Sequence, residues 1–388
     1  MKYKRILVFY AIFFLGAGLA FGFGYMTHLL QNQYQTASVQ FPILEEAYEV
    51  LKNHAYDDLP EEPAIEYGMI QGMVKAYDDP YTRFVEPVQH ELETDQLSGR
   101  YGGIGSSLDY DSDGYIILHP FPDGPAKDAG IKDGDRLSKV DDIEILSNTP
   151  LDQVIAAIRG PEGTQVKIVI ARPPEFNIYS FEIDRKDIPI PSVTWYQEST
   201  EPRLGFIKVN LIAETTSDEI QTAIENLIGQ QCTHFILDLR SNRGGILPTG
   251  VDIARLFLDE GVIIHEHYRN QEIRTYEAEK PGPFVDIPLV VFVDKDTASA
   301  AEIIAGAVKF RKRAQIIGTE TFGKNSIQLV FSLQDGSSLH VTAAQWWTPE
   351  LKSETEYSGV RPDVFVTEDN SSGDPYIQAA INIFFGQP

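Results

Sequence analysis

The chain has 388 residues, 43% hydrophobic and 23% charged, which excludes a disordered polypeptide and predicts two or three folded domains. Its 57 Asp+Glu against 32 Lys+Arg give a formal net charge of −25, a field that repels nucleic acid and anionic lipid. Cys232 is the only cysteine, so an intrachain disulfide and a multi-cysteine zinc site are both excluded.

Lys2, Lys4 and Arg5 precede an uncharged apolar run from Ile6 to Met26, long enough to cross a bilayer as one helix. No A-x-A cleavage site follows. Residues 1–29 are therefore expected to form an uncleaved transmembrane signal-anchor, with the basic end in the cytoplasm and the rest outside it. Residues 30–97 read as helical: "ILEEAYEVLKNHAY" and "AIEYGMIQGMVKAYDDP" place apolar residues three and four apart, and Asp79-Pro80 ends the second helix. From residue 98 the texture changes. Glycine turns separate short β-type runs in "GRYGGIGSSLDYDSDGYIILHP", and a helix-like "LDQVIAAIRG" and the strand "TQVKIVIAR" follow, which predicts a small β-rich module over residues 98–186. Over residues 187–388, strands "RLGFIKV", "THFILDL" and "PLVVFV" alternate with helical stretches "TSDEIQTAIENLIG", "ILPTGVDIARLFLDE" and "AAEIIAGAVKF". That alternation predicts a layered α/β domain, making the whole a multi-domain α/β chain.

No G-x-S-x-G elbow, H-E-x-x-H pair or Walker loop is present. His265 and His267 would share one face of a strand, but without a third ligand nearby a solvated strand face is the default. Ser299 stands where an apolar run passes into a helix, and Ser299-x-x-Glu302 fits a capping box, so from this fragment alone the serine is a helix cap. A nucleophile would need a base, and the segment holds no histidine. Lys324 in "GTETFGKNSIQLVF" could serve if burial lowered its pKa. Gly244 and Gly245 in "FILDLRSNRGGILPTG" could turn bare N–H groups toward a cavity, although an ordinary glycine turn explains them equally well in isolation.

Taken in order, "LDLRSNRGG", "DTASAAEIIAGAV", "GTETFGKNSIQ" and "GVRPD" resemble the motifs of the C-terminal processing peptidases, also called tail-specific proteases. "GMIQGMVKAYDDPYTRFVEP" looks like their N-terminal helical region, and "YGGIG…GPAKDAGIKDGDRLSKVDD…AAIRGPEGT" like their PDZ module, so the likeness covers nearly everything after the anchor. It implies a PDZ domain over 98–186 and a crotonase/ClpP-like protease core over 187–388. By position, Ser299 matches the nucleophile, Lys324 the general base and Gln328 the residue that orients that base. The N–H groups of Gly245 and Ala300 match the oxyanion hole, at a helix N-terminus that also favours negative charge. Gly102, Gly103, Ile104 and Gly105 match the loop that curls around a terminal carboxylate, while the substrate tail pairs with the adjacent strand edge. Arg159 matches an arginine that would link tail binding to the active site.

Arg243, Asn325 and Ala301 stand where proline, glycine and serine are common in the family. The resemblance implies a membrane-anchored, extracytoplasmic serine endopeptidase that needs no metal or cofactor. It would act on proteins with free apolar C-termini and could dimerise. A catalytically inactive, tail-binding PDZ adaptor of the cell envelope is the alternative reading.

Overall fold

The computed structural model describes residues 41–351, 353–367 and 373–386. The expected anchor lies outside the described residues, and among them no helix is long and apolar enough to cross a membrane. The chain divides after Gly68. The first unit holds α1 (Pro42–His54), opened by a proline in its first turn, and the start of α2 (Glu62–Tyr77). α2 gives way to Asp78 in the left-handed region (φ 61°), ahead of the expected Asp79-Pro80 stop.

The second unit continues through β1 (Arg83–Val85) and α3 (Pro87–Ser98), which Gly99 closes at φ 75°. The β-rich module then contains β2 (Arg100–Gly103), β3 (Ser106–Tyr110), β4 (Ile116–Pro120), α4 (Pro125–Ala129), β5 (Asp135–Val140), β6 (Ile143–Glu144), α5 (Leu151–Ile158), β7 (Gln165–Arg172) and β8 (Asn177–Asp184). Its sheet runs β3-β4-β5-β7-β8, with β6 paired to β5. Alternating inward residues of β7 (Val166, Ile168, Ile170) meet Val154 and Ile158 of α5 in one core, the period-2 and period-3.6 patterns closing on each other. β3 is an edge strand. β9 (Lys186–Pro189) pairs antiparallel with β2 and leads into the next layer.

The remainder comprises β10 (Val193–Gln197), β11 (Leu204–Val209), α6 (Thr216–Gly229), β12 (His234–Asp238), α7 (Leu247–Phe257), β13 (Gly261–Tyr268), β14 (Arg274–Ala278), β15 (Leu289–Val293), α8 (Ala300–Phe310), β16 (Gln315–Gly318), β17 (Ser326–Ser332), β18 (Ser338–Trp347), β19 (Val364–Phe365) and α9 (Pro375–Phe385). One sheet runs β10-β11-β12-β15-β16-β19 and is parallel from β11 onward. Both its faces are covered, which is why "LVVFV" is apolar without alternation. Val291 and Val293 face α6, α7 and α8, whereas Val290 and Phe292 face α9. A second sheet, β1-β18-β13-β14 with β17 on the other side of β18, packs on the far side of α7 and α8. α8 is therefore enclosed between sheets: Ala301, Ile304 and Val308 meet the first, Ile303 and Ala307 the second. Between Glu302 in its first turn and Lys309 in its last, α8 is apolar on every side, as such a position requires.

Candidate active site

The carboxyl ends of the neighbouring parallel strands β12 and β15 bring two loops side by side, the place where α/β sheets present ligand sites. Leu239 to Gly245 follows β12, and Asp294 to Ser299 follows β15. Several bonds lock them together. Asp294 accepts from the Ser241 N–H, Thr297 Oγ1 donates to the Leu239 carbonyl at 2.8 Å, and the Ala298 N–H donates to the Asn242 carbonyl at 2.9 Å. The buried Asn242 side chain donates to Val209 and accepts from the Gly244 N–H, fixing the glycine turn.

Ser299 occupies that junction as the residue before α8, with φ 56° and ψ −123°. A side chain held in this sparsely populated region costs about 1–3 kcal/mol, so the surroundings must hold it there. Glu302 does much of that. One oxygen of its buried carboxylate accepts from the Ser299 N–H (2.8 Å) and the Lys324 N–H (2.9 Å). The other accepts from Thr321 Oγ1 (2.5 Å) and the Gly323 N–H (2.7 Å). Desolvation nevertheless holds its pKa above the usual carboxylate value, against those four hydrogen bonds. The layout is that of a capping box, but the carboxylate also reaches a second loop.

Gly244 adopts φ 96°, and a Cβ there would lie 2.8 Å from the Cβ of Ser299 and 3.0 Å from the Ala300 nitrogen. The turn is pressed against the serine so closely that only glycine fits. Gly245 pairs with Ile212 as an isolated bridge, through the Gly244 carbonyl and the Ile246 N–H, and so keeps its own N–H out of that pairing. Among the described residues neither the Gly245 nor the Ala300 N–H donates a hydrogen bond. Ala300 is free because it opens the helix.

Lys324 lies in the loop between β16 and β17, half-buried. Burial pushes its ammonium below the usual lysine value; Arg83 adds to this, while Asp79 and Glu302 oppose it. Nζ lies over the Tyr81 ring, 4.8 Å from its centroid. Among the described residues Nζ makes no hydrogen bond, to Ser299 Oγ or otherwise. Gln328 on β17 donates from Nε2 to Ser326 Oγ (3.0 Å) and Thr342 Oγ1 (3.2 Å), and no bond joins it to Lys324. Asn325 is outside the left-handed region, which Gly323 takes instead at φ 85°, so no glycine is needed at 325. Its amide donates to the Glu354 carbonyl. Arg243 is exposed, and Ala301 is buried in the helix.

In the β-rich module a cleft of about 630 Å³ opens between β3 and α5, lined by Ile104, Leu108, Phe121, Ile155, Ile158 and Arg159 among others. Gly102 and Gly103 pair with Asp187 and Lys186 as part of β2. At Gly102 a Cβ would lie 2.0 Å from the Gly160 carbonyl oxygen, so this glycine admits the loop after Arg159. Ile104 and Gly105, beyond β2, donate no N–H hydrogen bond among the described residues. Arg159 donates to Asp95 at 2.7 Å, and its guanidinium lies 4.2 Å from the Tyr101 ring centroid. Its Nε is buried and has no hydrogen-bond partner among the described residues.

His265 lies 3.0 Å from Thr275 Oγ1 and packs on Trp347, while His267 is 3.6 Å from Glu354. Among the described residues no group of three side chains could hold a metal. Two neighbours of the site, the Glu302 bridge and Tyr81, have no complete signature in the sequence. The capping-box spacing pointed to the first but gave only its local half; the second has no short-range signal, since a chain fold alone brings residue 81 to residue 324.

Residues 203–366 match the description Peptidase family S41, and residues 120–172 match PDZ domain. The carboxy-terminal processing protease CtpA of Bacillus subtilis (strain 168) is 32% identical over 350 residues, 90% of this chain and 74% of the relative. A carboxyl-terminal-processing protease of Picosynechococcus is 32% identical over 327 residues, 82% of this chain and 78% of the relative. The solved structure of a photosystem II D1 C-terminal processing protease is 31% identical, covering 82% of this chain and 86% of its own, with a TM-score of 0.45. The identity to the two relatives, over most of this chain and of each of theirs, carries one conclusion: the protein belongs to the carboxyl-terminal-processing serine proteases of peptidase family S41.

Proposed function

We propose that Ser299 and Lys324 carry out the peptidase reaction as a dyad. Neutral Lys324 takes the proton of Ser299 Oγ as that oxygen bonds to the scissile carbonyl carbon. The carbonyl oxygen, now negative, is received by the free N–H groups of Gly245 and Ala300. The carbon–nitrogen bond then breaks and the leaving amine takes the proton from Lys324. Water attacks the acyl carbon with Lys324 again as base, the ester bond to Ser299 Oγ breaks, and that oxygen takes the proton back from Lys324. Gln328 orients the lysine when the side chain swings to the serine. The observation that supports this most is the Glu302 carboxylate, one oxygen of which holds the backbones of Ser299 and Lys324 together.

The tail of the substrate protein lies along the edge of β3, its terminal carboxylate on the Ile104 and Gly105 N–H groups and its last apolar side chain in the cleft beside Ile155 and Ile158. Arg159 senses that occupancy. An N-terminal anchor would hold this protease outside the cytoplasm. A homodimer is supported by α1, on which Ile43, Val50 and Leu51 are exposed.

The test is cleavage of an unfolded protein ending in an apolar tail. Ser299→Ala and Lys324→Ala should each lower kcat/KM by about a thousandfold or more. Undiminished cleavage by either variant ends the dyad reading.

A further inference from the structure

Lys324 Nζ rests against an aromatic face, and among the described residues no hydrogen bond or ion pair holds it. The ring is presented by a segment far away in sequence that is firmly built. Asp79 Oδ2 accepts from the Thr82 N–H (2.8 Å) and from Thr82 Oγ1 (2.5 Å). The Thr342 N–H of β18 donates to Thr82 Oγ1 at 3.2 Å. The next residue, Arg83, stands opposite His340 in the β1–β18 pairing, and its guanidinium forks onto Glu93 at 3.0 and 2.6 Å. Tyr81 is thus bracketed by fixed backbone on both sides, with its ring 4.8 Å from Nζ.

We propose that the face of the Tyr81 ring is a seat for the protonated Lys324 side chain, which the neutral amine leaves to reach Ser299, so that Tyr81 governs when the base is free to act. This rests on the assignment of Lys324 as the base. A ring face attracts an ammonium through its quadrupole and has no such attraction for a neutral amine, and partial burial strengthens the effect. Seating and protonation are therefore linked: the seat favours the charged form, and loss of the proton releases the side chain.

The other groups around Nζ leave room for the ring to matter. Desolvation and then Arg83 work against the charge, while Asp79 on the same segment and Glu302 on α8 favour it. His340 on β18 is itself pushed toward neutrality, first by burial and then by Arg83, so it adds little charge at neutral pH. Glu93 is engaged by Arg83, which tempers that cation's push on the lysine. With opposing charges on both sides, an attraction of the usual cation–π size shifts the proton equilibrium by about half to one pH unit.

The experiment reads Lys324 directly. The rate at which acetic anhydride labels Lys324 is followed against pH by mass spectrometry, and kcat/KM is measured over the same range. Tyr81→Leu should move both the labelling titration and the acidic limb of kcat/KM to lower pH by about half to one unit. Tyr81→Phe keeps the ring and should leave both in place. Pentafluorophenylalanine at position 81 keeps the ring's shape while reversing its quadrupole, and should move them as leucine does; it decides the matter if the leucine variant fails to fold. Titrations that stay put in both the leucine and the fluorinated proteins overturn the seat, whatever happens to the overall rate. Lys324→Ala separates the two readings. Full activity in that variant removes the base assignment, whereas an inactive Lys324→Ala beside unmoved titrations removes only the seat.

Discussion

Two titratable residues with opposite displacements decide how the site behaves with pH. Burial lowers the pKa of Lys324, so the folded protein holds fewer protons there than the unfolded chain does between the lowered value and the ordinary lysine value. Its contribution to stability therefore rises with pH across that window and is a net cost below it. Lys324→Met should abolish cleavage yet stabilise the fold at pH 7 by about 1 kcal/mol, as read from a urea midpoint; equal or lower stability would mean that the ammonium is not penalised. Glu302 runs the other way. Desolvation raises its pKa, so the stability it contributes is lost as pH rises through that raised value. Glu302→Gln removes that pH dependence but turns an NH2 group toward donors now bonded to a carboxylate. It should cost about 1–3 kcal/mol and lower kcat more than it raises KM, since the damage falls on the alignment of Ser299 with Lys324. A variant with normal kcat would show that the bridge does not align them.

At the scale of elements, the parallel sheet and its helices were legible because each run had one environment. "LVVFV" is apolar throughout because both its faces are covered, and "AAEIIAGAVKF" is apolar on every side between Glu302 in its first turn and Lys309 in its last because α8 lies between two sheets. The second sheet was harder to read. β17 joins β18 through a short hairpin but has an exposed outer half, which blurs its pattern. β1 is three residues long and takes its place from β18, a strand far off in sequence, so no local pattern announces it. Register on β18 is what carries Tyr81 to Lys324. On the other side of the core, Asp238 ends β12 almost wholly buried, and its carboxylate takes the backbone N–H, Nε and Nη2 of Arg240. Arg240 also bonds Asp374 at 2.9 Å ahead of α9 and lies over Tyr376. Removing it leaves a buried carboxylate with Lys208 at 3.5 Å as partial compensation. Arg240→Ala should therefore cost about 3 kcal/mol in urea unfolding, with the loss greatest in protection of the α9 amides from hydrogen exchange. A loss below about 1 kcal/mol would mean the cluster is a surface feature.

For the molecule as a whole, division of labour follows from the packing. An apolar cleft with an open strand edge sits in one module, and a strained serine with free amides beside it sits in another, an arrangement that suits a protease recognising one part of a protein and cutting another. Ordered motifs made the serine, the lysine and the glycine turn legible, because each is a short run in a fixed place. Contacts of Gln328 and Tyr81 were not, since they depend on which strand lies opposite.

The most direct test of Ser299 as nucleophile and Lys324 as base is chemical rescue. With an apolar-tailed substrate, Lys324→Ala should lose activity and regain part of it in proportion to added small primary amines, while Ser299→Ala stays inactive at every amine concentration. Cleavage by Ser299→Ala, or a Lys324→Ala enzyme as fast as the parent without any amine, would contradict the account.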